Sequence, residues 1–82
     1  MRARRALRIG TLALRANDAA VAADYLLQAI SAGENDARSF AQLAQARWLL
    51  RDRSGARSAI QRGLLETPGD TELLRLHRHY AN

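Results

Sequence analysis

The sequence predicts an all-α fold of five helices paired into antiparallel hairpins, and three observations lead there. Alanine, leucine and arginine dominate the 82 residues, while only four are aromatic. That mix favours helix and leaves too little Val, Ile, Thr and aromatic material for a sheet protein. The only proline, Pro68, stands in "LLETPGDTELL", where one apolar segment stops and an acidic helix start follows. The chain also repeats itself at a fixed interval.

Residues separated by 34 match along the chain without an insertion. Asp18 recurs as Asp52 and Asp36 as Asp70. Ile9 pairs with Leu43, Gly10 with Ala44, Ala22 with Ala56, Leu26 with Ile60, Ala29 with Gly63 and Ile30 with Leu64. Size and polarity are kept at each pair, which indicates a duplicated unit. A single domain over 1–82 is expected, with repeat one at 3–36, repeat two at 37–70 and a capping helix at 70–80.

Each unit reads as two helices. At about 100° per residue, Arg4, Arg8, Thr11 and Arg15 share one stripe of the first helix. Ala6, Leu7, Ile9, Gly10, Ala13 and Leu14 cover its opposite side. The second helix, from about Asp18 to Ala32, gathers Ala22, Leu26, Ala29 and Ile30 on one face. Asp18 suits an N-cap, since its carboxylate accepts an orphan backbone N–H. Asn17 suits the tight corner before it, and Gly33 a left-handed end after it.

Unit two follows the same plan. Asp36 caps a helix to about Leu50, and Asp52 or Ser54 caps one to about Glu66, which Pro68 ends. The small pairs Gly10/Ala44, Ala22/Ala56 and Ala29/Gly63 mark close helix approach. A third unit starts at Asp70 and stops after one helix, "DTELLRLHRHYAN". Leu73, Leu74 and Leu76 supply its inner face; Arg75, His77, Arg78 and His79 make the rest polar. One sticky face and one wet face are what the end of a stack needs.

These residues resemble the tetratricopeptide repeat (TPR) family, whose 34-residue pattern runs Trp-x2-Leu-Gly-x2-Tyr, then Ala-x3-Phe, then Pro. Unit two offers Phe40-x2-Leu43-Ala44-x2-Arg47, Ala56-x3-Ile60 and Pro68. Unit one offers Ala6-x2-Ile9-Gly10-x2-Ala13 and Ala22-x3-Leu26, with Glu34 at the proline position. The match spans residues 3 to 70, and the final helix looks like the solvating helix that ends such arrays. Arg47 and Ala13 depart from the family's packing aromatic. The RNA-reading pentatricopeptide family has a related architecture, but its period is usually one residue longer, and it ranks behind.

The resemblance implies a right-handed α-solenoid whose first helices line a concave groove for a partner segment. It also implies a non-catalytic adaptor or scaffold in protein–protein interaction. The family's best-known groove is a carboxylate clamp for chaperone tails. Carried onto this sequence, the clamp positions hold Leu7, Thr11, Gln42, Glu72 and Leu76. None is basic, so that mode of binding is not expected.

By helical phase, the groove candidates are Arg4, Arg8, Thr11 and Arg15 from unit one, with Arg38, Gln42, Gln45 and Trp48 from unit two. Such a strip suits an acidic or extended segment of another protein, with arginine–carboxylate pairs orienting it and Trp48 as anchor. The plainer alternatives are that these arginines keep a surface helix solvated and that Trp48 packs under the last helix.

Every one of the 13 basic residues other than His is arginine, and the formal net charge is +5. Codon bias explains this more simply than an anion-binding surface does, because charge alone speaks to solubility and non-specific binding. Residues 1–16 carry five Arg and no acid, residues 17–36 four acids and no base, and residues 37–62 six Arg with one Asp. Nucleic-acid binding through the arginine-rich face is therefore a weaker alternative, opposed by the interposed acids and the scarcity of stacking aromatics. A further alternative is a fragment, or a short self-associating protein of the family, whose main role is oligomer assembly. Two units are few, and "ALRIGTLAL" leaves a broad apolar arc on the first helix.

No catalytic constellation, phosphate loop or metal site is legible, and no cofactor is expected. Cysteine is absent. His77 and His79 stand two apart on a helix and point to different sides. The basic start could suggest a targeting segment, yet Arg8 and Arg15 interrupt any secretory apolar centre. A mitochondrial presequence fits better, but the same stretch belongs to repeat one. A cytoplasmic location is expected.

Overall fold

The computed structural model describes residues 2–81 and is all-helical, with no strand among them. Five helices follow in chain order: α1 (Arg2–Arg15), α2 (Ala19–Ser31), α3 (Ala37–Leu49), α4 (Arg53–Glu66) and α5 (Thr71–His79). Among the described residues, no helix is long and apolar enough to cross a membrane.

The four later helices start in the same way. Asp18, Asp36, Asp52 and Asp70 are their N-caps. Each carboxylate accepts the backbone N–H three residues on, at Val21, Ser39, Gly55 and Leu73. An orphan donor of the first turn is thereby satisfied. Asp52, not Ser54, caps α4.

The corner within each hairpin is also repeated. Asn17 and Arg51 both take φ 64°, a left-handed conformation. The N–H of Asn17 reaches Leu14 O at 3.0 Å and that of Asp18 reaches Ala13 O at 2.8 Å. Thirty-four residues later, Arg51 reaches Trp48 O at 3.0 Å and Asp52 reaches Arg47 O at 2.9 Å. Both corners are Schellman closures followed at once by an Asp cap. The chain reverses within three residues, and the two helices on either side pack along each other.

The link between hairpins has two forms. Gly33, at φ 113°, closes α2, with Glu34 N–H reaching Ala29 O at 2.9 Å. Thr67 closes α4 and Pro68 stops it. Sequence position 34 thus holds an acid where position 68 holds the proline, and two different stops serve one topology.

Helix contacts follow chain order. α1 packs on α2, α2 on α3, α3 on α4, and α5 against both α3 and α4; α1 touches α3 along one side. Leu26, Phe40, Leu43, Ala44, Ala56, Ile60, Leu73 and Leu76 form the centre of one apolar core. The small residues sit where helices approach. A Cβ added to Gly10 would lie 2.7 Å from Leu26 Cγ. One added to Gly63 would lie 2.7 Å from Leu73 Cδ1 and 2.9 Å from Phe40 Cβ. Ser39 is the one buried polar side chain in this core, and its hydroxyl has no hydrogen-bond partner among the described residues.

The capping helix differs from expectation at one residue. Leu73 and Leu76 are buried, but Leu74 is 38% exposed, and Tyr80 completes the inner face instead. The spacing is 73, 76, 80, the i, i+3, i+7 stripe of a helix packed on one side.

Two substitutions probe this geometry with opposite signs. Gly63→Val overpacks the α3–α4–α5 junction and is expected to cost about 2–3 kcal/mol, lowering the thermal midpoint by roughly 10 °C or more. Arg51→Gly removes the side-chain penalty of a left-handed residue. Part of that gain is offset by the freer unfolded chain, so a net stabilisation of about 0.5–1 kcal/mol is expected. Calorimetry of both variants beside the parent checks the pair.

Candidate functional site: the α1–α3 depression

Arg4, Arg8, Thr11 and Arg15 recur at helical spacing along α1 because that stripe stays outside the core. α3 runs beside α1, and Thr11 Oγ1 donates to Gln42 Oε1 at 2.7 Å, a bond joining residues 31 apart in sequence. It ties the floor of a shallow valley between the two helices. Arg4, Leu7, Arg8, Thr11, Leu12, Arg15 and Arg38 line a depression of about 300 Å³ there.

A second depression of about 270 Å³ adjoins it, lined by Arg38, Ala41, Gln42, Gln45, Asp70 and Glu72. Arg38 borders both. Seven of the eight candidates read from sequence thus fall on one side of the molecule, around two neighbouring hollows. The charges are unequal: four arginines border the first hollow and no acid does, whereas two acids from the start of α5 border the second.

The arginines of the first hollow are exposed. Among the described residues the one salt bridge is Arg75 Nε to Glu72 Oε1 at 2.6 Å, on the surface of α5. No carboxylate of the described chain therefore neutralises Arg4, Arg8, Arg15 or Arg38. Guanidinium groups held in a valley, free of internal partners, can fork onto carboxylate or phosphate oxygens of another molecule.

Trp48 lies apart from these hollows. Its ring stacks on Tyr80, with centroids 4.1 Å apart and planes 3° from parallel. The Arg53 guanidinium stands 5.0 Å from its centroid. The indole is thus engaged in fastening α5 to the second hairpin. Arg47, where the family pattern has an aromatic, donates from Nη1 to Gly55 O at 3.2 Å and ties α3 to the start of α4.

Leu12, Ala41 and Asp70 also line these hollows and had no place in the groove read from sequence, whereas Leu7 and Glu72 stood there only as clamp-equivalent positions. Leu12 flanks the arginine stripe and could have been found by widening it. Asp70 could not, because it reaches the valley only through the packing of α5. Of the clamp-equivalent positions, Leu76 is buried in the core and Glu72 is paired with Arg75.

Burial pushes the Tyr80 phenol above its ordinary value, with Arg75 pulling the other way and Glu72 adding to the rise. A group whose folded pKa is raised contributes stability that is complete below the unfolded value, about 10, and is lost as pH climbs through the folded one. Stability is therefore expected to fall above pH 10, with Trp48 fluorescence reporting release of α5. In Tyr80→Phe that alkaline decline should be largely gone, as denaturant midpoints at pH 9 and pH 11 would show.

Comparison with protein-family models, curated proteins and solved structures finds no match to the chain.

Proposed function

We propose that the chain is a non-catalytic interaction module of tetratricopeptide type. In this reading two 34-residue hairpins and the helix α5 form a short right-handed solenoid. The valley between α1 and α3 takes an acidic, extended segment of a partner protein. The recurrence of corner geometry and caps at the 34-residue interval supports the repeat reading. One observation carries the functional part: Arg4, Arg8, Arg15 and Arg38 converge on one hollow without an internal acid.

The charge layout favours a peptide over a nucleic acid. Along α1, Arg4 and Arg8 are about 6 Å apart in axial rise, close to the separation of same-side residues in an extended strand, about 6.6–6.8 Å. Thr11 and Gln42 offer further polar atoms to its backbone. Beyond Arg38 the valley meets Asp70 and Glu72, which would repel a continuing phosphate chain but suit a segment whose acidic run is short. The chaperone carboxylate clamp has no basic residues to work with here. A cytoplasmic setting remains part of the proposal.

A tetra-glutamate segment within a flexible, labelled peptide is the first probe. Binding is expected at low ionic strength and should weaken as salt rises. The triple variant Arg4→Ala, Arg8→Ala, Arg38→Ala is expected to lose at least about tenfold in affinity, since each charge-assisted contact contributes roughly 1.5–3 kcal/mol. Circular dichroism should be unchanged, because all three side chains are exposed. Unaltered affinity in the folded triple variant would remove the valley from the account.

A further inference from the structure

The repeat itself identifies a second surface, on the flank of α1 turned away from α3. On α3, Phe40 and Arg47 face α4, and Trp48 faces α5. By helical phase, Ser39, Leu43 and Ala46 share a further buried flank of α3, and α2 of the first hairpin is the helix that packs on α3 besides α4, α5 and α1. All three residues are 0% exposed. Thirty-four residues earlier stand Arg5, Ile9 and Leu12. There Arg5 is exposed, Ile9 is half-buried and Leu12 is 56% exposed. The same helical flank is covered in one unit and bare in the other.

The bare flank has its own shape and charge. Arg4, Arg5, Arg8, Ile9 and Leu12 line a hollow of about 260 Å³. Arg4, Arg8 and Leu12 form the ridge between it and the arginine valley, for each borders both, and Arg5 and Ile9 belong to this hollow alone. The covering element on α3 is a helix, α2, whose body is apolar. A helix is therefore the shape that this flank accommodates by repetition. The chemistry differs from the internal case at one position: Arg5 stands where Ser39 is buried. A helix laid over Ile9 and Leu12 must bring a carboxylate to Arg5 or leave a guanidinium partly desolvated without a partner. A second copy meeting this one α1 to α1 would bring Arg4, Arg5 and Arg8 of each together, and no acid occurs before Asp18 to separate them.

We infer that this flank of α1 docks an amphipathic helix of another protein, with an apolar stripe over Ile9 and Leu12 and acidic residues bordering the stripe to meet Arg5 and Arg8. The docked helix stands to α1 as α2 stands to α3. This inference rests on the 34-residue equivalence and on charge, not on the valley described above. The two surfaces share Arg4, Arg8 and Leu12, and Arg5 and Ile9 set this flank apart from the valley.

The test uses two designed helical peptides of equal length. Both carry leucines at i, i+3 and i+7; one borders that stripe with glutamates, the other with lysines. Each is titrated into the full isotope-labelled chain and followed by amide shifts. The glutamate peptide is expected to bind at least about tenfold more tightly, with shifts centred on Arg5, Ile9 and Leu12. Arg5→Glu, at an exposed position, should narrow or invert that preference, while Arg5→Lys should keep it. Equal binding of both peptides, no binding of the glutamate peptide, or indifference to Arg5→Glu would overturn the proposal. Shifts centred on Gln42 and Gln45 would overturn it too, while leaving the valley reading intact. If the chain alone dimerises and Arg5→Glu strengthens or abolishes that dimer, the occupant is a second copy and the proposal fails.

Discussion

A three-residue corner sets the whole arrangement. In each hairpin two backbone hydrogen bonds close the first helix, one from a left-handed residue and one from the aspartate after it, and that aspartate opens the second helix. Satisfying the ends of both helices with so short a link leaves little choice of direction. The chain turns back, the small residues at Gly10, Ala22, Ala44 and Ala56 let the backbones come close, and each apolar stripe is covered by its neighbour. Because the corner recurs at one interval, α1 and α3 lie side by side. The valley between them follows from that registration, not from any dedicated loop.

A chain of this length buries only about 60% of the surface its unfolded form exposes. Its stability therefore depends on how well the two open edges of the stack are finished. The C-terminal edge is closed by α5 through Leu73, Leu76 and Tyr80, and the Arg53–Trp48–Tyr80 contacts add a stacked lock. The opposite edge keeps Ile9 and Leu12 accessible beside arginines. α1 therefore keeps two exposed sides, one bordering a hollow lined by four arginines and no acid, the other carrying Ile9 and Leu12 beside Arg5.

Much of the fold was legible in sequence because the signals were local or periodic. Asp18, Asp36, Asp52 and Asp70 announced four caps, Pro68 a stop, and the 34-residue offset the close approaches at Gly10 and Gly63. What was missed depended on tertiary placement. Leu74 looked like inner-face material because it adjoins Leu73, but helical phase gives that place to Tyr80. Trp48 could be read as a groove anchor or as packing, and only the position of α5 shows its ring against Tyr80. Asp70 was read as the start of the third unit and Glu72 as a clamp-equivalent position, and their presence beside Arg38 comes from the way α5 settles. Ser39 has no sequence signature of its own: its burial and its Arg5 counterpart become meaningful only together.

The claim on which the rest stands is that α1 and α3 are neighbours across the valley, joined by Thr11 and Gln42. A nuclear Overhauser spectrum of the full chain in solution tests it directly. A cross-peak between the Thr11 methyl group and the Gln42 side-chain amide or methylene protons is the expected result. Cross-peaks from Thr11 to α4 or α5 in its place would mean that the hairpins stack in another order, and the valley, its arginines and the bare flank of α1 would all lose their basis.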